Sequence, residues 1–178
     1  QILLPFLILL SWIYGCIIWL RNQFYDIQWI KLVVFNKPII SVGNITTGGT
    51  GKTPLVIYLA QLLQKNGKKP GIISRGYGRK SQGLQVVHDG KKLTTTEVAV
   101  VGDEPYLIAR TLENVPVIVS ENRIKGIKHL LDYYPDVIIM DDGFQHRKVK
   151  RDLDILTVSA NDRKKYYELL PWGNLREP

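Results

Sequence analysis

Three short clusters carry the residue types that handle phosphate. The first is Thr46-Thr47-Gly48-Gly49-Thr50-Gly51-Lys52-Thr53. It follows the apolar run 38–43 and precedes the apolar run 55–63, so it reads as a glycine-rich turn between a buried strand and a helix. Glycines there let backbone N–H groups approach phosphate, because no Cβ intervenes. The helix N-terminus adds unpaired N–H donors and the positive end of a dipole. Lys52 is then expected at the β- and γ-phosphates and the Thr53 hydroxyl at Mg²⁺, which makes ATP and Mg²⁺ the expected cofactors. Thr46 stands where the usual eight-residue pattern has a glycine. An ordinary glycine-rich turn is the plainer alternative, but strand, glycines, lysine, hydroxyl and helix in this order favour the phosphate cradle.

The second cluster is Asp141-Asp142, directly after the apolar run 137–140. A carboxylate at the carboxyl end of a strand beside a phosphate loop can hold Mg²⁺, directly or through water. Alone, the pattern is equally that of an Asp opening a surface turn. Gln145 and His146 follow on the loop where a substrate should sit. The third cluster is Asp103-Glu104, ahead of Pro105 and a helical pattern over 104–112. Asp as a helix cap is the simple reading. The functional one is a base that accepts a hydroxyl proton as a phosphoryl group moves. Arg75, Arg79, Arg123, Arg147 and Arg176 are loop or helix-start arginines able to grip phosphate bidentately, with a solvated surface charge as the default for each. His88 and His129 have no constellation around them, and Cys16 reads as a packing residue.

The elements that must position these clusters alternate. Strands are expected near 38–43, 69–75, 115–120, 137–140 and 153–158, with helices over 55–63, 104–112 and 123–133. Asp89-Gly90 between the runs 84–88 and 91–94 predicts a hairpin inserted above the sheet. The whole predicts an α/β fold: a mostly parallel sheet, like that of P-loop NTPases, with helices on both faces. Its 178 residues suffice for one such domain with a real core.

Ahead of the domain, residues 1–20 carry no charge. Nineteen apolar-rich residues, 2–20, reach about 28 Å as a helix, close to a bilayer's hydrocarbon thickness. A spanning helix and one lying in the interface both fit, and a core helix of a soluble protein is the bland alternative. Arg21, Lys31 and Lys37 follow the run and predict a cytoplasmic domain after it. A helical connector is expected over 21–35. The formal net charge of +8 suits an anionic membrane surface or a phosphorylated substrate. No zinc spacing, helix-turn-helix or basic–aromatic interleaving points to nucleic acid. With one cysteine, no internal disulfide forms, which fits a reducing compartment.

Taken in order, these motifs resemble the tetraacyldisaccharide 4′-kinase family of lipid A biosynthesis. The resemblance rests on Ile40-Ser41-Val42-Gly43-Asn44 leading into Gly48-Gly49-Thr50-Gly51-Lys52-Thr53-Pro54, then Ser74-Arg75-Gly76-Tyr77-Gly78, Val101-Gly102-Asp103-Glu104-Pro105 and Asp141-Asp142-Gly143-Phe144-Gln145-His146. Arg151-Asp152-Leu153-Asp154, the closing stretch Leu170-Pro171-x-Gly173-x-Leu175-Arg176-Glu177-Pro178 and the apolar segment ending in Leu20-Arg21-Asn22 complete it. The resemblance also accounts for Thr46, since the family's loop is threonine-rich and lacks the first glycine.

It implies transfer of the γ-phosphate of ATP to the 4′-hydroxyl of a tetraacylated glucosamine disaccharide 1-phosphate, with Mg²⁺. By motif, Asp103, Lys52 and His146 match catalytic positions. Residues Thr46 to Thr53 match the nucleotide loop, and Thr53, Glu104, Asp141 and Asp142 the metal site. Asn44, Arg75, Arg123, Gln145, Arg176 and Glu177 match the substrate side. The implied partners are a membrane-embedded glycolipid and an anionic membrane surface, with no nucleic acid, and a monomer at the cytoplasmic face of the bacterial inner membrane is expected. The expected division is a membrane-associating segment, 1–35, and a kinase domain, 36–178. Family members run well past this length, so most of a second lobe, with a histidine that partners the base, is expected to be missing. The rival reading is a membrane-associated switch ATPase of the partitioning or site-selection type, which would carry a lysine where this chain has Thr47. A secretion-linked GTPase would need an Asn-Lys-x-Asp signal that the sequence lacks. A nucleotide-binding protein without chemistry also remains open.

Overall fold

The computed structural model describes residues 3–95, 97–159 and 168–177. Ile2, at the start of the apolar run, and Pro178, at the end of the closing motif, lie outside the described residues. In chain order the elements are α1 (Leu3–Asp26), β1 (Ile39–Gly43), α2 (Lys52–Lys65), β2 (Pro70–Ser74), β3 (Gln85–Asp89), α3 (Val98–Val101), α4 (Asp103–Thr111), β4 (Pro116–Val119), α5 (Arg123–Leu130), β5 (Val137–Asp141) and β6 (Leu153–Leu156). A 3-10 turn over Leu131–Tyr133 extends α5, as the pattern over 123–133 implies.

The strands form one sheet in the order β3-β4-β2-β5-β1-β6. Every pairing is parallel except β3 with β4. The central strands are continuous aliphatic runs because both of their faces are covered. Side-chain alternation divides them between two cores. Ile72, Ile139 and Val117 pack with Val56 and Ala60 of α2 and Ile108 of α4. Their chain neighbours Ile73, Ile138 and Ile118 pack with Ile127 and Leu130 of α5. Gly126 lets α5 sit that close: a Cβ there would meet Ile73 Cδ1 at 2.4 Å. Burying each such isoleucine contributes about 1.5–3 kcal/mol. The expected α/β sheet with helices on both faces is what forms.

Two local expectations are corrected. The 84–94 hairpin does turn at Asp89-Gly90, where the Asp89 carboxylate accepts from the N–H groups of Lys91 and Lys92 at 2.7 and 2.8 Å. Its first arm, however, is no insertion above the sheet: it is β3, the antiparallel edge strand beside β4. Its second arm is no strand of the sheet: it bridges His88 through Leu93, and Thr94 N–H donates to the Val87 carbonyl at 3.0 Å. Val87 drives this, since it is fully buried in the core with Val117 and Val119. The other correction concerns the connector. The apolar helix does not stop at Arg21 but runs on to Asp26, and the chain from Ile27 to β1 is irregular apart from a bridge, Val33 to Val149.

Along α1 most of the apolar surface is exposed, including Phe6, Leu9, Trp12, Ile17 and Trp19. By length and composition this helix can cross a membrane. Its covered side faces the segment 169–177. Ser11 Oγ donates to the Leu169 and Leu170 carbonyls, and Tyr14 Oη to that of Arg176 at 2.9 Å.

Candidate active site

Parallel strands bring their carboxyl ends to one rim, and α2 and α4 begin there. Between β1 and α2 the loop turns through Gly48 (φ 119°) and Gly51 (φ 83°), left-handed positions that favour glycine. A Cβ at Gly48, Gly49 or Gly51 would meet nothing within 4 Å, so the backbone on that side is open to a ligand. Gly51 caps α2 without any side-chain bond to the first-turn N–H groups, and Lys52 and Thr53 occupy that turn. The free donors and the lysine form an anion cradle.

Neighbours fix the loop. Asn44, fully buried, donates from Nδ2 to the Gly48 carbonyl at 3.2 Å, and Gln145 Nε2 donates to the Asn44 carbonyl at 2.8 Å. The Thr50 and Thr157 hydroxyls meet at 2.6 Å. Thr47 N–H donates to the Asn174 carbonyl at 2.8 Å, and Thr46 bridges Leu175 antiparallel. This explains why threonine replaces the usual glycine at position 46. The bridge needs extended backbone, which a β-branched residue favours, and no positive φ occurs there.

In β5, the register opposite Val42 of β1 places Asp141 beside the loop. On its other side β2 brings Ser74, whose hydroxyl donates to Asp141 Oδ2 at 2.8 Å. Asp141 Oδ1 has no hydrogen bond although the residue is fully buried. Burial raises its carboxyl to about 6; the Ser74 hydrogen bond opposes this, Glu104 and Asp142 add to it, and Arg123 opposes it weakly. Asp142 takes a left-handed backbone (φ 47°). Its oxygens lie 3.7 Å from Lys52 Nζ and 3.6 Å from an Arg176 nitrogen, ion pairs too long to be hydrogen bonds.

The Arg123 side chain is buried and donates to the Ser120 and Asp141 carbonyls at 3.0 and 2.9 Å. Burial lowers its pKa to about 10, still charged at neutral pH. His146 is lowered to about 4, by burial first and by the positive field of Arg123 and other bases next. It is therefore a neutral ring at pH 7, with its Nε2 buried and unpartnered.

Asp103 is the first residue of α4, and the cap is Gly102, so the expectation of a capping aspartate is corrected. Gly102 holds φ 94°, and a Cβ on it would meet the Tyr77 carbonyl at 3.0 Å. The Asp103 carboxylate is exposed and makes no hydrogen bond or ion pair with the described residues. Glu104 is close enough to act on the Asp141 charge.

A cleft of about 440 Å³ opens beside the loop, lined by Arg75, Tyr77, Arg123, Gln145, His146 and Arg176 among others. Arg75 and Arg176 thus stand where sequence reasoning expects a substrate. Asn44 does not: its side chain is sealed in and supports Gly48. Arg123 lines the cleft with little exposed surface, because two backbone carbonyls hold its guanidinium. Glu177 reaches the cleft wall, but its carboxylate is occupied by Arg21 at 2.6 Å and Asn22 Nδ2 at 3.2 Å. Ser74, Tyr77 and Arg21 were not expected at the site. A charge closing an apolar helix was the one available signal for Arg21, while Ser74 needs the strand order, which the sequence does not print.

Among the described residues no group of three or more His, Cys, Asp or Glu side chains forms a metal cage. A Mg²⁺ site at a phosphate loop does not need one, since a hydroxyl, one or two carboxylates, phosphate oxygens and water complete it. The unpartnered oxygens of Asp141 and Asp142, with the first-turn hydroxyl of Thr53, are the hard donors such an ion takes. The residues fit both a triphosphate and Mg²⁺.

The comparisons point the same way. Residues 3–178 match the family model described as tetraacyldisaccharide-1-P 4′-kinase. The tetraacyldisaccharide 4′-kinase of Aquifex aeolicus is 49% identical over 178 residues, 99% of this chain and 53% of that protein. That of Chlorobaculum parvum is 44% identical over 170 residues, 93% of this chain and 47% of that protein. A crystal structure of LpxK from Aquifex aeolicus, described as an apo form in complex with ATP, superposes with a TM-score of 0.87 at 48% identity, covering 99% of this chain and 53% of that one. The chain spans about half the length of the curated relatives it matches. Its loop, its paired acids and these matches together make the chain a member of the tetraacyldisaccharide 4′-kinase family.

Proposed function

We propose that this chain carries the phosphoryl-transfer lobe of a membrane-surface kinase. The kinase moves the γ-phosphoryl group of ATP to the 4′-hydroxyl of a tetraacylated disaccharide 1-phosphate in lipid A synthesis. The observation that carries this reading is the convergence at one rim of an open glycine cradle, Lys52, the buried Asp141 and the half-buried Asp142, with Lys52 and Asp142 only 3.7 Å apart. The names of the relatives supply the lipid acceptor, and the ATP complex of the Aquifex aeolicus protein supplies the donor.

In this reading the N–H groups at the start of α2 and the Lys52 ammonium bind the triphosphate. Thr53, Asp141 and Asp142, with Glu104 nearby, would hold Mg²⁺, which neutralises charge on the β- and γ-phosphates when bound. Asp103, exposed and unpaired, takes the acceptor hydroxyl's proton onto its carboxylate. Neutral His146 lines the cleft beside Gln145 and supplies an uncharged ring to the sugar there. Arg75 and Arg176 grip the anionic headgroup from the cleft. The exposed apolar side of α1 enters the cytoplasmic leaflet, and basic residues near an anionic surface add about 1 kcal/mol each. The 36–178 part is the kinase lobe proper, and α1 with the chain to residue 35 is its anchor.

The test incubates the full-length protein with labelled ATP and a tetraacylated disaccharide 1-phosphate in mixed micelles. Wild type is expected to give a doubly phosphorylated lipid. Asp103→Asn should slow turnover by about 10²–10⁴-fold with ATP binding kept. ATP hydrolysis without any labelled lipid contradicts the proposal and favours a switch ATPase.

A further inference from the structure

The segment 169–177 lies between two things that chemistry must couple: the membrane helix and the phosphate loop. On one side it takes four polar groups of α1. Ser11 and Tyr14 bond its carbonyls, and Arg21 and Asn22 hold the Glu177 carboxylate. These residues recur at helical spacing, so they form one polar seam along an otherwise apolar helix. Gly15 lies in the same seam, where a Cβ would meet Leu169 Cδ1 at 2.9 Å.

On the other side the segment pairs with the loop. Leu175 bridges Thr46, the Asn174 carbonyl accepts from Thr47 N–H at 2.8 Å, and Arg176 N–H donates to the Ile45 carbonyl at 2.7 Å. The Arg176 side chain reaches Asp142 at 3.6 Å. Glu177 is 6% exposed. A carboxylate so buried is costly unless a cation and hydrogen bonds compensate it, and here Arg21 at 2.6 Å and Asn22 at 3.2 Å do so.

We propose that Glu177 is a positioning residue: its ion pair with Arg21 clamps the segment 169–177 between α1 and the phosphate loop, and so holds Thr46 and Thr47 where a triphosphate needs them and Arg176 where it reaches Asp142. The proposal rests on the nucleotide site proposed above but assigns Glu177 away from the substrate. Glu177 touches neither nucleotide nor lipid; it acts through Arg176 and through the two backbone pairings next to it. An anchor seated in a bilayer thereby becomes a fixed support for the loop.

The experiment measures the dissociation constant of a fluorescent ATP analogue, with Mg²⁺, on full-length protein. Glu177→Gln and Arg21→Met are each expected to weaken binding several-fold. Because both break one ion pair, the double variant should bind no more weakly than either single one. The swap Arg21→Glu with Glu177→Arg should recover part of the loss. Sedimentation with vesicles of neutral lipid should be unchanged in all of them, since the apolar side of α1 is untouched. Tyr14→Phe deletes one hydroxyl beside the clamp and should give a smaller loss of the same kind, which keeps the test valid if a charge variant misfolds. Singles that bind like wild type, or single effects that add in the double variant, overturn the clamp. Lys52→Ala in the same assay separates the two ideas: if it too binds like wild type, the nucleotide site itself is misplaced.

Discussion

Along β5, Ile138, Ile139 and Met140 are fully buried among aliphatic neighbours, whereas Asp141, the next residue and equally buried, keeps one carboxylate oxygen without a hydrogen bond. The same contrast separates the body of the sheet from its rim. In the body, side chains fill two apolar cores and backbone groups pair along the ladders. At the rim, buried atoms of Asn44, Arg123, Asp141, Asp142 and His146 make no hydrogen bond among the described residues. Burial that stabilises the first region opposes the second, by about 1–3 kcal/mol for each unsatisfied group. A fold that retains such groups beside an open glycine cradle is organised for something that binds there.

Substitutions in the two regions should therefore fail in different ways. The largest effect is expected in the body. Ile139→Ala empties space between β5 and α2 and should lower unfolding free energy by about 2–5 kcal/mol in denaturant titrations. Its ATP affinity, measured well below the unfolding transition, should stay near wild type. A loss of affinity as large as the loss of stability would erase the distinction between body and rim.

At the rim the order reverses. Lys52→Ala removes a cation from the cradle and should weaken ATP binding by about 10–100-fold, in keeping with about 1.5–3 kcal/mol for charge-assisted hydrogen bonds. Thermal unfolding without nucleotide should hardly move, because Asp142 lies 3.7 Å away and keeps Arg176 as a second cation. Intact affinity in Lys52→Ala would sharpen the question of what the loop binds.

His146 should give the smallest signal, visible as a slope with pH. Its folded value of about 4 lies below the free value of 6.5, so the unfolded chain takes the proton first. The stability it contributes is present above about pH 6.5 and is lost as pH falls through 4. Replacing it with Gln should flatten that limb of the stability–pH curve in metal-free buffer. An unchanged curve would mean that the imidazole is not desolvated as its position implies.

These contrasts also explain what was legible in the sequence. The body was readable because apolar runs within 69–75 and 137–140 mark buried parallel strands, and the strand–loop–helix order exposed the cradle. Residue types alone picked out Lys52, Asp141, Asp142, Arg75, His146 and Arg176, which the fold brings to one rim. Adjacency across strands was not readable. The pairing of β2 with β5, which gives Asp141 its Ser74, follows from the sheet order and from no local pattern. Nor were destinations: Glu177 looks like a substrate residue until Arg21 and Asn22 are seen to hold it. The run 84–94 has the residues of a free-standing hairpin, and only the uncovered edge of β4 makes its first arm part of the sheet.

Asp141→Asn tests the central claim most directly, with stability and nucleotide affinity measured on the same protein at pH 8. The folded carboxyl value of about 6 lies above the ordinary 3.8. The stability tied to this group is therefore full below 3.8 and lost as pH rises through 6, which leaves an unfavourable buried charge at pH 8. The neutral amide should raise the unfolding temperature in metal-free buffer while weakening Mg²⁺-dependent ATP binding. Lower stability with unchanged affinity would contradict the account.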